Sequence, residues 1–439
     1  MTSSGPAARP PDPPPPGGRR VTLVLCSVQH GVLGALEPFT VGTPVWQEVG
    51  DVVAAARARF GLDVTVLRLL RGRSDRVPFG GEVVYLAEVD DDGRPPRPPV
   101  LRPLAALGLA ADPLAPAPGR AAYAEPGGPA AELAWARARL VAAGRPLTGR
   151  PEQVRTWNLS SVWRMPTARG PVWLKSVPPF LAHEGPLLAS LDGLTTGGGP
   201  AAVPPVLAAE PGRVLLDHVT GDDQYHARGP TTAGFLPPLI ELQAATRHRL
   251  DELAALGVPD HRGQDLVVAA GQLAARVEGE LTPADRQAVD RLLADLPRRL
   301  AALEACGLPA TLVHGDFHPG NIRAGAGRPA VVLDWGDSSL GSPARDLAHL
   351  LTHLEPEDRP PALDRAVRCW QESVPGCDPS RAAGLARPLA ALAAALAWQG
   401  FLDRIEPDER VYHHGDPAAG LARAAHLSAG STSWPTGER

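Results

Sequence analysis

Residues 312–347 read LVHGDFHPGNIRAGAGRPAVVLDWGDSSLGSPARDL. This stretch decides the fold, because it gathers acids, an amide and two histidines between short apolar runs. In Val313-His314-Gly315-Asp316-Phe317-His318-Pro319-Gly320-Asn321 the proline and the second glycine forbid a regular helix. Asp316 and Asn321 are therefore expected on a tight loop that turns both side chains toward one point. A hairpin-like link at 324–329 precedes the β-branched run 330–333, which reads as a buried strand with Asp334 at its end. An acid and an amide on one loop, with a second acid after the next strand, can supply hard oxygen ligands to Mg²⁺ and leave one carboxylate free.

That division of labour suits phosphoryl transfer, which asks for charge neutralisation by metal and an oriented hydroxyl. The spacing His-Gly-Asp, four residues, Asn, with Asp334-Trp335-Gly336 where protein kinases carry Asp-Phe-Gly, resembles the aminoglycoside phosphotransferase and choline kinase branch of the kinase-like fold. The resemblance implies an α+β fold of two lobes, one small and β-rich, one large and helical. It implies that Asp316 orients the acceptor hydroxyl, that Asn321 and Asp334 bind Mg²⁺, and that ATP or GTP is the co-substrate. Lys175, closing the apolar strand 172–177, would reach the phosphates and be set by Glu184. Ser160 and Ser161, in the turn at 158–161, would lie over the phosphates, and backbone groups near Asp217 and Val219 would read the base. His314 is expected to be a scaffold, and Asp346 to pack back onto the catalytic loop.

Outward from this core, residues 151–222 are expected to form the small lobe and 223–430 the large one, with 111–150 a linker and helix. Residues 20–110 hold strands near 21–25, 63–70 and 81–89 and a helix at 45–60 closed by Gly61. Strand, helix, glycine, strand is similar to the Nudix fold, whose helix carries metal-binding glutamates. Here those positions hold Ala54, Ala55, Ala56, Arg57, Ala58 and Arg59, which implies an inactive Nudix-like accessory domain. Residues 1–19 and 431–439 read as tails, the first proline-rich and disordered.

With 439 residues, 44% hydrophobic and 5% aromatic, a core of Ala, Leu and Val is expected. A net charge of −5 without a basic stripe argues against nucleic-acid partners. Four scattered cysteines match no zinc spacing or disulfide framework and fit a reducing cytoplasm. The run 388–402 is too short for a membrane span and reads as a buried helix. No protein partner is evident. The expected acceptor is a small molecule such as an aminoglycoside, amino alcohol or sugar. The acids Glu355, Glu357 and Asp358 are a candidate attraction for a cationic one, with a solvated loop as the plainer reading. A protein Ser/Thr kinase is disfavoured because no room for an activation segment follows Trp335. A non-catalytic scaffold is disfavoured by the intact Lys175, Asp316, Asn321 and Asp334.

Overall fold

The computed structural model describes residues 18–89, 101–109, 112–196, 199–200, 202–262, 265–325 and 328–430. The C-terminal tail expected at 431–439 and most of the N-terminal one lie outside these residues. Arg19, expected in the N-terminal tail, instead opens the first strand and is fully buried. Its guanidinium donates to the carbonyls of Thr43, Val45 and Glu48, which is what makes its burial tolerable.

The first unit is a mixed sheet of β1 (Arg19–Ser27), β2 (Gly31–Ala35), β3 (Phe39–Val41), β4 (Val64–Arg73) and β5 (Glu82–Val89), with one helix, α1 (Gly50–Phe60). The order is β2-β1-β5-β4, with β3 also on β1, and β1 and β5 run parallel. β1 is apolar almost throughout because both its faces are covered. Val21, Leu23 and Leu25 join one core with Trp46 and Val52, while Val24 and Cys26 join another with Leu67 and Leu86. α1 starts later than the expected position 45, since Val45 bridges to Phe79 and Trp46 Nε1 donates to Gly80 O at 2.7 Å. It ends at Gly61, left-handed at φ 68°, whose N–H bonds Arg57 O.

The second sheet is antiparallel: β6 (Glu152–Trp157), β7 (Ser160–Thr167), β8 (Gly170–Ser176), β9 (Val206–Glu210) and β10 (Arg213–Asp217), in the order β9-β10-β8-β7-β6. α2 (Gly128–Ala142), the helix expected within 111–150, covers its outer face, with Ala136 and Leu140 packed on Met165, Val172, Leu174 and Leu215. Alternation along β8 buries Val172, Leu174 and Ser176, so Trp173 and Lys175 face the other way. The two sheets are stitched together: Gln153 on β6 donates to Val66 O at 2.7 Å and accepts from Val66 N at 2.9 Å, taking the place of a neighbouring strand along β4.

The large lobe holds α4 (Leu236–Thr246), α5 (Asp265–Val277), α6 (Pro283–Glu304), α7 (Ala344–His353), α8 (Arg359–Ser373), α9 (Pro379–Leu402) and α10 (Asp416–Ser428) around one core. The helix expected over 235–256 is broken into α4 and a short helix, Leu250–Ala255. Thr282 caps α6, accepting from Asp285 N, and Pro283 fits its first turn. α9 begins at Pro379, earlier than the expected position 388, and carries Pro388 inside it. By length and composition α9 could cross a membrane; it packs here against α7 and α10. Gly420 lets α10 approach, since a Cβ there would lie 2.9 Å from Ala395 Cβ.

Candidate active site

Between β11 (Thr311–Val313) and the hairpin β12 (Ile322–Gly325) and β13 (Arg328–Val332) runs the loop that carries Asp316. Asp346, in the first turn of α7, fixes its backbone: Oδ2 accepts from His314 N at 2.7 Å and Oδ1 from Gly315 N at 2.9 Å, with Gln243 Nε2 a further donor at 2.8 Å. His314 is buried, and its ring donates from Nε2 to Leu333 O at 2.9 Å and accepts at Nδ1 from Asp316 N at 3.3 Å. That pairing calls for the neutral tautomer, and burial lowers the ring's basicity accordingly. The histidine is a strut between the loop and the next strand. Gly315 is obligatory there, because its φ is +90° and a Cβ at that position would lie 2.2 Å from Asp337 O.

Asp316 is held on every side. His349 Nε2 lies 3.1 Å from Oδ1, Asn321 Nδ2 donates to Oδ2 at 3.1 Å and to Asp316 O at 2.9 Å, and His318 Nε2 is 3.4 Å from Oδ2. The cleft's desolvation works against the charged form. The hydrogen bonds from His318 and His349 outweigh it and keep the carboxyl well below the usual carboxylate range. His349 is the functional residue that sequence reasoning misses. In the sequence it stands out only as a member of a His318, His349, His353 cluster, whose imidazoles suit softer metals than Mg²⁺. The three rings do gather, with centroids 4.6 to 6.3 Å apart. Among the described residues, however, no group of three or more His, Cys, Asp or Glu side chains is arranged to hold a metal.

Across the cleft, Lys175 Nζ lies 2.7 Å from Glu184 Oε1 and 2.6 Å from Asp334 Oδ1, so one ammonium ties both lobes together. Glu184, at the start of α3 (Glu184–Leu191), is buried and also accepts from Trp335 N at 3.1 Å. Burial raises its pKa despite Lys175, whereas the lysine holds Asp334 below its ordinary value. Asp334 is the one residue other than glycine with positive φ, 63°, among those described, a strained conformation kept where the surroundings impose it. Lys175, Asp316, Asp334 and Ser160 line a single cleft of about 480 Å³. So does Asp337, unremarked in the sequence, where desolvation and then the charges of Asp316 and Asp334 push its carboxyl up to about 8.

Other expected residues lie elsewhere. Ser161 is buried and accepts from Trp163 Nε1 at 3.2 Å. Asp217 and Val219 line neither this cleft nor the 700 Å³ cavity adjoining it, and the Asp217 carboxylate accepts from Arg145 at 2.7 and 3.0 Å. Glu355, Glu357 and Asp358 also stay outside both cavities. Glu355 pairs with Arg228 at 3.2 Å and Asp358 accepts from Gly229 N, so these two acids tie their turn to the segment at Arg228 and Gly229.

A model described as the phosphotransferase enzyme family matches residues 130–385, from α2 into the first turns of α9, and spans Lys175, Glu184, Asp316, Asn321 and Asp334. The chain belongs to that family. It is a phosphotransferase with an alcohol group as acceptor. No curated protein sequence matches this phosphotransferase. Among solved structures it is similar to a macrolide 2'-phosphotransferase from Brachybacterium faecium, at 21% identity over 66% of this chain and 97% of the other, with a TM-score of 0.48. A choline/ethanolamine kinase family protein from Mesorhizobium loti shares 18% over 68% and 98%, TM-score 0.44. Aminoglycoside 2'-phosphotransferase-IIIa, solved with GDP, shares 14% over 68% and 98%, TM-score 0.45.

Proposed function

We propose that this phosphotransferase moves the γ-phosphate of ATP or GTP to a hydroxyl of a small molecule, with Mg²⁺ as cofactor. The observation that carries the reading is the Lys175 ammonium, held between Glu184 of the small lobe and Asp334 of the large one, beside Asp316 in the same cleft. Lys175 then holds the phosphates, and Glu184 fixes the lysine. Asn321 commits its amide nitrogen to Asp316, which leaves its oxygen for a cation; with Asp334 it makes two hard donors, the number Mg²⁺ takes when phosphates and water complete its shell. The metal supplies charge neutralisation at the transferring phosphate.

Asp316, kept ionised by its histidines, accepts the hydrogen bond of the acceptor hydroxyl and aims its oxygen at the phosphate. A small-molecule acceptor is favoured over a protein because α7 starts at Ala344, so close after Trp335 that no activation segment intervenes. The N-terminal unit fits a Nudix-like domain without hydrolase activity: Asp51 is the one acid on α1, and it accepts from Thr43 N at 3.0 Å. Four free cysteines accord with a cytoplasmic setting. Mg²⁺-dependent release of ADP or GDP by the full-length protein, screened with aminoglycosides, amino alcohols, sugars and nucleosides, tests the proposal. Absence of both nucleotide turnover and nucleotide binding would overturn it.

A further inference from the structure

Beside the catalytic cleft lies a larger cavity, of about 700 Å³, for which the phosphate chemistry has no use. The two share walls, since Gly336, Asp337, Arg345 and Phe401 line both. Asp337 packs against Gly315, the neighbour of Asp316: its Cβ stands 3.2 Å from the position that a Cβ on this glycine would take. A ligand seated in the larger cavity therefore ends beside the catalytic loop.

Most of the cavity wall is apolar. Leu266 and Val267 come from α5, Leu300 from α6, Leu396 from α9, Leu308 from the segment before β11 and Phe180 from the segment before α3. The leucines and the valine are only half-buried, at the edge of the large-lobe core. Protein interiors normally close on such side chains and leave few voids larger than a water molecule. Here they surround an opening within the range of about 300–1,000 Å³ that encloses a drug-sized ligand. The charged groups around it have partners of their own. Arg262 Nη2 lies 2.5 Å from Asp260 Oδ2, Arg345 Nη1 donates to Ser339 Oγ at 3.3 Å, and Arg404 Nε donates to Gly400 O at 2.7 Å while its guanidinium covers the Phe180 ring at 4.7 Å. Burial holds His183 toward its neutral form.

We infer that this cavity houses the hydrocarbon body of the acceptor, whose hydroxyl reaches past Asp337 to Asp316. The acceptor is thus a predominantly apolar alcohol, not a polycation or a free sugar. This inference rests on the phosphotransfer reading and narrows its substrate class. Each methylene that leaves water for such a wall tightens binding by about three- to fourfold. A heavily hydrated polar body would lose its water there and find the polar groups already engaged.

The test uses the full-length protein with Mg·ATP and reads ADP release. Acceptors are offered as homologous series, alkan-1-ols, alkyl glucosides and 1-monoacylglycerols, with chains from ethyl to octyl below micelle-forming concentrations, beside glucose, glycerol and kanamycin. The expected result is that in at least one series KM falls about two- to fourfold with each added methylene while kcat changes less. The three series tell a bare hydroxyl, a sugar and a polyol apart. Leu300→Asn on α6 and Leu396→Asn on α9 alter side chains that line the larger cavity and not the cleft. Each should raise the KM of the octyl member about tenfold or more and flatten the dependence on chain length, and their placing on separate helices covers the case in which one variant fails to fold. A KM that ignores chain length in every series, or basal turnover that none of these alcohols stimulates, overturns the inference and leaves the phosphotransfer reading standing. Long-chain members that only inhibit would make the cavity the seat of an apolar effector, which overturns it equally. Loss of nucleotide turnover and binding altogether sinks both.

Discussion

Asp316 and Asp334 share a cleft but not their surroundings: one is held by two histidines and an amide, the other by a lysine. Asp334→Ala should therefore weaken Mg·ATP binding and abolish transfer together. Asp316→Ala should leave Mg·ATP affinity near that of the wild type while the rate falls by about 10² or more, the range positioned acid–base groups contribute. Calorimetric titration of both variants decides it: equal loss of nucleotide binding would mean the assigned roles are wrong. Asp316, Asn321 and Asp334 can be read from the sequence because they sit within one local motif. His349 cannot, since its contact with Asp316 depends on where α7 is laid against the loop, a matter of packing that leaves no local pattern.

Elements behave in the same way. Strands and helices with a clear period, β8 and α6 among them, are legible; the 3₁₀ segment Pro407–Tyr412 is not, although it plugs a gap between the two sheets. Within it Glu409 accepts from Leu69 N at 2.9 Å, and Glu409 O accepts from Asn158 Nδ2 at 3.2 Å. Burial, then the charge of Glu406, lifts the Glu409 carboxyl from 4.5 to about 8. The folded chain thus keeps a proton that the unfolded chain gives up. The stability this lends is complete below pH 4.5 and is lost as the pH climbs through about 8. The thermal midpoint should accordingly fall between about pH 5 and about pH 8.5. Glu409→Gln, which keeps an acceptor for Leu69, should flatten that fall, as scanning calorimetry across the range would reveal. An unchanged slope would assign the titration to another group.

At the scale of the molecule, the first unit is not an appendage. Arg68 on β4 pairs with Glu406 at 3.3 Å, Arg120 pairs with the same carboxylate at 2.9 Å, and Tyr412 belongs to the first unit's core, edge-on to Trp46 and Trp157. Sequence reading separates the first unit from the lobes because each has its own periodicity, and nothing local marks the clasp between them. Removing residues 1–110 would strip Arg68 from Glu406 and Trp46 from Tyr412, at about 1–3 kcal/mol for each buried polar group left unpaired. The truncated protein should unfold at a lower temperature and bind nucleotide more weakly, through the turn where Leu159 and Ser160 line the cleft. Equal thermal midpoints and nucleotide affinities in the two forms would show that the unit is dispensable.

The hydrogen bond from Leu69 to Glu409 spans 340 positions of chain. At about 5–20 residues per second, a ribosome takes roughly 20 to 70 s to go from one partner to the other. Throughout that time the newly made first sheet waits with the recess for Tyr412 open. The clasp closes only after Lys175, Asp316 and Asp334 have all been synthesised. A chain abandoned before Tyr412 would carry Lys175, Asp316 and Asp334 and still lack the piece that steadies the turn above them, so this late segment acts as a seal on residues made long before it.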